Sequence, residues 1–417
     1  MWIYFFSHMK THSGESQIVG SVLVIIMTTF SVDRELKPIK WNRATAYPMV
    51  LFGIGILLIG LIHKVGDGYM MYAIDLAIVF PAFYYVWANR DDHEVLFRHT
   101  SKAILLFGII SYCYCFFLST RGELEFRGVR VQGYLSNPNY LGMLGIIVFI
   151  SGGYLLIDNI NSVKRALISS LGIGIGISYA FLAVSRTAML SEITCLIVLT
   201  IFALKQYKMH ALDSSKVWRV LLGASLIIVF TSFIGIKMDN INYSVIARNN
   251  TTQTTEEAAQ TTEQNAQPDV DEIEKLAERT NTDRDVEALS SGRTGLWKIY
   301  LSNLSWLGKP KKEIVPLLSG YTDTRPHNNI IDYLYRCGYI VGGIYVIYYL
   351  TQGISGLILL FSRKYTRTAL CFSVMIIGTY SIYAMLEVCT LAFIRCVPCI
   401  YFISIAPIIA KSSEDLR

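Results

Sequence analysis

Apolar residues run along this chain in long blocks rather than at alternating or amphipathic spacing. Eleven blocks are long enough to cross a bilayer as helices: about 16–32, 45–63, 69–88, 103–119, 138–156, 166–184, 187–204, 218–236, 337–361, 369–388 and 390–410. No stretch shows the ~10-residue alternation of an outer-membrane barrel. The pattern predicts an all-α integral membrane protein, a polytopic bundle of 11–12 transmembrane helices, the twelfth being edged by the short apolar start "MWIYFFSHM". That start is too short for a cleavable signal peptide of ordinary form. Composition agrees, since 53% of residues are hydrophobic and 16% charged, against about 25% charged in soluble domains.

The polar connections set the orientation. Arg34/Lys37/Lys40/Arg43, Arg90/Arg98/Lys102, Lys164/Arg165, Lys205/Lys208/Lys216 and Arg363/Lys364/Arg367 fill alternate connections. The positive-inside rule puts these, and the tail carrying Lys411 and Arg417, in the cytoplasm. Segments 120–137 and 237–336 then lie outside, and an odd span count leaves the N-terminus outside too. The chain divides into an N-terminal transmembrane bundle (1–236), a large extracytoplasmic loop (237–336), and C-terminal helices with a cytoplasmic tail (337–417). Eight cysteines fall mainly within spans. Cys396 and Cys399 have CxxC spacing but no second pair or nearby histidine, so they read as small buried side chains.

The long loop changes character partway. Residues 249–289 are rich in Thr, Gln, Asn and acid, with eleven Asp/Glu against Lys275, Arg279 and Arg284, and are expected to be partly disordered up to a short helix near 269–279. Removing that net −8 from the chain's +6 leaves +14 for everything else. Part of this basic excess sits on the outer side, where the positive-inside rule gives it no reason to be. In the following "SSGRTGLWKIYLSNLSWLG", Leu296, Trp297, Tyr300 and Leu304 recur at helical spacing. Arg293 falls on that apolar face, either snorkelling along its stem or held over a gap between this helix and the bundle.

Charges at a membrane edge are costly and default to functional candidates. Four groups stand on the outer side. Arg186 occupies a turn so tight that two spans almost abut. Arg293 is in the loop helix. Arg325, His327, Asn328 and Asn329 precede the ninth span, and Arg121, Arg127 and Arg130 lead into "GYLSNPNYLG", where Asn137-Pro138-Asn139 forms a turn capping the fifth. Converging arginines suit a diphosphate, which guanidinium grips bidentately at any pH. A histidine among them suits a general base acting on a hydroxyl, although a capping histidine is the plainer alternative. No carboxylate pair that would hold a metal ion is visible on the outer face, so no metal or cofactor is expected. Glu387 and Arg395 flank the last outer turn and are expected to pair with each other or with outer arginines. Asp75 and Glu192, within spans, keep a transporter reading open.

The ordered set "GYLSNPNYLG", "SRTAML", "SGRTGLW" and "PHNNIIDYLYRCGYIVGG", all on one predicted face, resembles the O-antigen ligase and polysaccharide polymerase superfamily of bacterial envelopes. The resemblance covers roughly residues 100–400, with the acidic tract as a particular insertion and nothing matching in the first hundred residues. It implies a metal-independent glycosyltransferase of GT-C type in the bacterial cytoplasmic membrane, its active site facing the periplasm or cell exterior. Such enzymes pass a glycan from undecaprenyl diphosphate to a hydroxyl on an acceptor glycan or glycolipid, beside other glycan-assembly proteins and without nucleic acid. By motif, the essential loop histidine falls on His327 and the diphosphate-binding arginines on Arg186 and Arg293, assisted by Arg127 or Arg130. Arg325, Asn328, Asn329, Asn137 and Asn139 would position sugars or the ring. A repeat-unit polymerase is the expectation. A ligase acting on lipid A core or another anchor is its close alternative, and a flippase or exporter of lipid-linked sugar is the alternative of another class.

Overall fold

A computed structural model describes residues 38–65, 72–89, 93–127, 130–135, 137–210, 214–254, 293–310, 326–362, 368–387 and 396–411. Helices α1 (Arg43–Ile62), α2 (Tyr72–Ala88), α3 (His93–Arg121), α4 (Pro138–Asp158), α5 (Val163–Leu182), α6 (Arg186–His210), α7 (Ser214–Ile236), α8 (Met238–Thr254), α9 (Arg293–Ser302), α10 (Asn329–Phe361), α11 (Thr368–Leu386), α12 (Cys396–Ser404) and α13 (Ala406–Ile409) form the bundle. Two short antiparallel ribbons accompany them: β1 (Lys40–Trp41) with β4 (Ala410–Lys411), and β2 (Phe126–Arg127) with β3 (Arg130–Val131).

Eight of the helices are long and apolar enough to cross a membrane, which makes this an all-α multi-pass membrane protein. The expected count of eleven is therefore not reached among the described residues. The block at 69–88 becomes the shorter helix Tyr72–Ala88, widened by a π turn at Asp75–Val79. The last block is interrupted: α12 ends at Ser404 and α13 restarts at Ala406, with Pro407 in its first turn. The block at 16–32 and most of the acidic tract lie outside the described residues. The tract's first residues continue α8 as helix to Thr254.

Small residues bring the central helices together, as expected where lipid supplies no hydrophobic contrast. On α4, a Cβ at Gly145 would stand 2.9 Å from that of Tyr179, and one at Gly152 would stand 2.7 Å from the Ser169 carbonyl. Gly172 and Gly176 of α5 complete the close approach. Buried α4 also packs on α3, α6 and α11, while α10 packs on α1 and α11. The two ends of the bundle differ. At one end Arg98 grips Asp158 through two bonds of 2.9 and 3.1 Å, and Lys205 Nζ donates to the carbonyls of Leu359 and Ser362. These belong to the connections predicted to be cytoplasmic. The opposite end gathers the starts of α4, α6, α9 and α10 and the C-terminus of α11.

Helix α10 is two limbs, and this departs from the sequence reading. Gly338 has φ 79° and ψ 175°, a conformation open essentially to glycine alone, and the chain reverses there. In a continuous helix Leu334 and Gly342 would be about 12 Å apart along the axis. Instead a Cβ on Gly342 would meet the Leu334 Cα at 2.6 Å, and the Tyr333 and Tyr345 rings lie 4.4 Å apart. The first limb, 329–337, therefore folds back against the second, 339–361, and only the second matches the predicted span. Within "IIDYLYRCG" stand two charged residues, Asp332 and Arg336. Those two neutralise each other at 3.0 Å, four residues apart on one helix face, and are both mostly buried.

The reversal breaks backbone pairing, and the segment after α9 repairs it. Ser305 O accepts from Tyr339 N at 3.1 Å, and Lys309 N donates to Tyr335 O at 2.9 Å. Gly308, at φ 74°, has to be bare for this: a Cβ there would stand 2.2 Å from the Arg336 carbonyl. Replacing Gly338 by alanine is expected to cost at least ~1–3 kcal/mol from backbone strain, with a clash against the Trp306 carbonyl added. Gly343→Ala and Gly353→Ala, where a Cβ meets nothing within 4 Å, should leave stability unchanged or slightly raised. Thermal unfolding of the detergent-solubilised protein separates the two classes.

Candidate functional site

The site forms where three separate segments reach the C-terminus of α11. The first is the turn between α5 and α6. Val184 takes φ 44°, an uncommon state for a β-branched residue, with its N–H on the Phe181 carbonyl and the Ser185 N–H on that of Ala180. Ser185 Oγ then accepts from Ala188 N at 3.3 Å and caps α6. Arg186 is thereby the first residue of α6, half-buried at the bundle end. Gly142 on α4 leaves room for this turn, since a Cβ there would press on Ser185 at 3.2 Å.

The β2–β3 ribbon and the start of α4 brace the same turn. Arg130 donates through Nε to the Ala183 carbonyl at 2.7 Å and through Nη2 to Asn139 Oδ1 at 2.5 Å. Asn137 Oδ1 accepts from Asn139 N at 2.9 Å and caps α4, as the sequence turn predicted. Arg130, Asn137 and Asn139 thus spend these groups on holding the Arg186 turn. Arg127 pairs in register with Arg130 on the ribbon and is exposed.

The second segment is α9. Leu296 and Tyr300 bury against Ile331 and Tyr335 of the first limb of α10, with the Tyr300 and Tyr335 rings edge to face at 4.8 Å. Trp297 donates its indole N–H to the Pro326 carbonyl, which fixes the backbone immediately before His327. Arg293 does lie on the apolar face, with its side chain mostly buried. Its gap is filled by the end of α11: Nη1 donates to the Leu386 carbonyl, and Nη2 meets Glu387 Oε1 at 3.1 Å.

The third segment carries the histidine. Asn328 caps the first limb, its Oδ1 accepting from Ile331 N at 3.1 Å while its Nδ2 donates to the Met385 carbonyl at 3.2 Å. Asn329 is buried and reaches the Tyr345 hydroxyl on the second limb. Both asparagines therefore serve the fold here, and Arg325 lies outside the described residues. His327 sits at φ 48°, a left-handed backbone, and its Nδ1 lies 2.8 Å from Glu387 Oε2. A carboxylate only accepts, so Nδ1 bears the proton and Nε2 is the nitrogen able to take another.

Glu387 is the residue whose role the sequence did not give. It was expected to pair with Arg395 or an outer arginine. Arg395 lies outside the described residues; the pairing with an outer arginine is found at Arg293, and the added bond to His327 is the part the sequence did not show. The available signal was an acid placed one residue beyond an apolar block. Burial alone would raise the Glu387 carboxyl, but the His327 hydrogen bond and the Arg293 charge outweigh it and hold the group below its ordinary value. Glu387 is thus ionised at neutral pH. Arg186 lies within electrostatic reach of Arg293 as a like charge. Among the described residues, two guanidiniums, one carboxylate and one imidazole are thus brought together at this corner.

Near this corner, α4, α11 and α12 leave a small apolar gap of about 20 Å³, lined among others by Met143, Ile147, Thr379, Tyr380, Tyr383 and Tyr401. Tyr383 is one turn of α11 from Glu387, whose N–H its carbonyl accepts at 2.7 Å. No three His, Cys, Asp or Glu side chains converge as metal ligands among the described residues. No protein-family model and no curated protein matches the chain, so its activity has to be argued from this corner.

Because the folded Glu387 carboxyl titrates below its unfolded value, its stabilising contribution is present above the usual glutamate range. It is lost as the pH falls through the folded value. Glu387→Gln should cost roughly 1–3 kcal/mol at neutral pH by leaving Arg293 and His327 without their acceptor charge. It should also flatten the acid limb of the stability curve, read as unfolding temperature between neutral and acid pH.

Proposed function

We propose that this protein is a membrane glycosyltransferase that takes a glycan from a polyprenyl diphosphate carrier and joins it to the hydroxyl of an acceptor glycan, acting as a repeat-unit polymerase on the outer face of the cytoplasmic membrane. The observation that carries the reading is the linkage Arg293–Glu387–His327, beside Arg186, at the bundle end opposite the Lys/Arg-rich connections. A lipid-linked diphosphate presents its anion at that depth, with its tail in the bilayer.

In the proposed reaction, the acceptor oxygen attacks the anomeric carbon while His327 Nε2 takes its proton. Glu387 holds Nδ1–H and faces the imidazolium charge that develops. The anomeric C–O bond breaks, its electron pair passes to the departing diphosphate, and Arg186 and Arg293 bear that charge. One displacement inverts the anomeric centre, and the proton on His327 then passes to water. A ligase would use the same groups and differ only in its acceptor.

Purified protein in liposomes with lipid-linked repeat unit should lengthen the glycan, with EDTA present. His327→Ala should slow this by about 10²–10⁴-fold, and Arg186→Ala by about 10²–10³-fold. Full activity of His327→Ala, or loss of wild-type activity on chelation, would sink the reading. Transfer to lipid A core but not to lipid-linked repeat would reassign the acceptor.

A further inference from the structure

Glu387 is shared between two partners that the proposed reaction uses differently. Its Oε1 meets the Arg293 guanidinium at 3.1 Å, and its Oε2 meets the imidazole of His327 at 2.8 Å. Arg293 is also anchored independently, by Nη1 on the Leu386 carbonyl. It can therefore turn Nη2 away from Glu387 without leaving the site.

We infer that the donor's diphosphate takes Arg293 from Glu387, and that this exchange of partners gives the whole carboxylate charge to His327 and switches the base on. The inference rests on the lipid-diphosphate reading above. Its physical basis is competition. A diester diphosphate carries two negative charges and accepts guanidinium bidentately, so it outbids one carboxylate oxygen for Nη2.

The charges around His327 make the exchange consequential. Glu387 reaches it from the end of α11, Arg293 from α9, and Arg186 bears on Arg293 from the start of α6. Among the described residues, two neutral dipoles also pack here: the Asn328 amide on the Met385 carbonyl and the Trp297 indole on the Pro326 carbonyl. Arg130 is held back on Ala183 and Asn139. Before the donor arrives, two guanidiniums oppose proton uptake by the imidazole and one of them draws on its carboxylate. Once the donor is bound, the guanidiniums face phosphate and the carboxylate faces the ring, so proton affinity at Nε2 rises. The base is thus weak until the sugar to be transferred is in place. Donor binding should therefore precede productive acceptor binding.

The test needs no turnover. A short-chain polyprenyl diphosphosugar, whose diester diphosphate takes no proton near neutrality, is titrated calorimetrically into wild-type protein in nanodiscs. Two buffers of different ionisation enthalpy give the protons exchanged per ligand bound. Wild type should take up protons on binding, and His327→Gln should bind with the uptake lost. Glu387→Gln should bind the probe several-fold tighter, because Arg293 no longer has a competitor, and should also lose the uptake. A merely structural role for Glu387 would weaken binding instead. Wild-type binding without proton uptake overturns the exchange by itself, even if the variants fail to fold. Uptake undiminished in Glu387→Gln overturns it too. No binding of the probe by wild type removes the lipid-diphosphate reading, and the exchange with it.

Discussion

One carboxylate at the end of one helix organises this molecule's charged corner. Glu387 stands one residue beyond α11, where the helix also offers its last carbonyls, Met385 and Leu386. Those negative groups draw Arg293 from the loop helix, and Asn328 and His327 from the lead-in to α10. Without them, two arginines and a histidine at a membrane edge would repel one another. With them, three segments more than thirty residues apart in sequence meet at one point.

The fold spends its backbone irregularities on that meeting. Val184 and His327 are two of the three non-glycine residues with positive φ among the described residues, and both lie at the corner. Gly338 reverses α10 so that the histidine-bearing limb turns back against Tyr345. The reversal is tolerated at this depth because it is buried in protein and because Ser305 and Lys309 pair the backbone groups it exposes. The same strap follows directly from α9, so the helix presenting Arg293 and the limb presenting His327 are tied at both ends: by Trp297 to Pro326, and by the strap to the turn. Relative placement of Glu387, His327 and Arg293 is thus set by packing on two sides rather than by loop geometry.

Several of the polar residues singled out in the sequence also carry structural bonds. Asn137 and Asn328 cap helices, Asn139 and Arg130 hold the α5–α6 turn, and Asn329 ties one limb of α10 to the other. Their work is to fix where Arg186 and His327 point. Around them, glycine contacts between α4 and α5 supply the close packing that lipid cannot drive.

By itself, the sequence determined the class of protein, because membrane spans announce themselves in consecutive residues: long apolar blocks, with clusters of Lys and Arg in alternate connections. It also marked Arg186, Arg293 and His327 as charges out of place, since a local cost can be read locally. What only the tertiary structure decided was which charges meet. Glu387 was open to Arg395 or to any outer arginine, and its bond to His327 left no local mark in the sequence. Pairing depends on the reversal at Gly338 and on the docking of α9, contacts between residues far apart in the chain, and no local pattern of hydrophobic and polar positions encodes them.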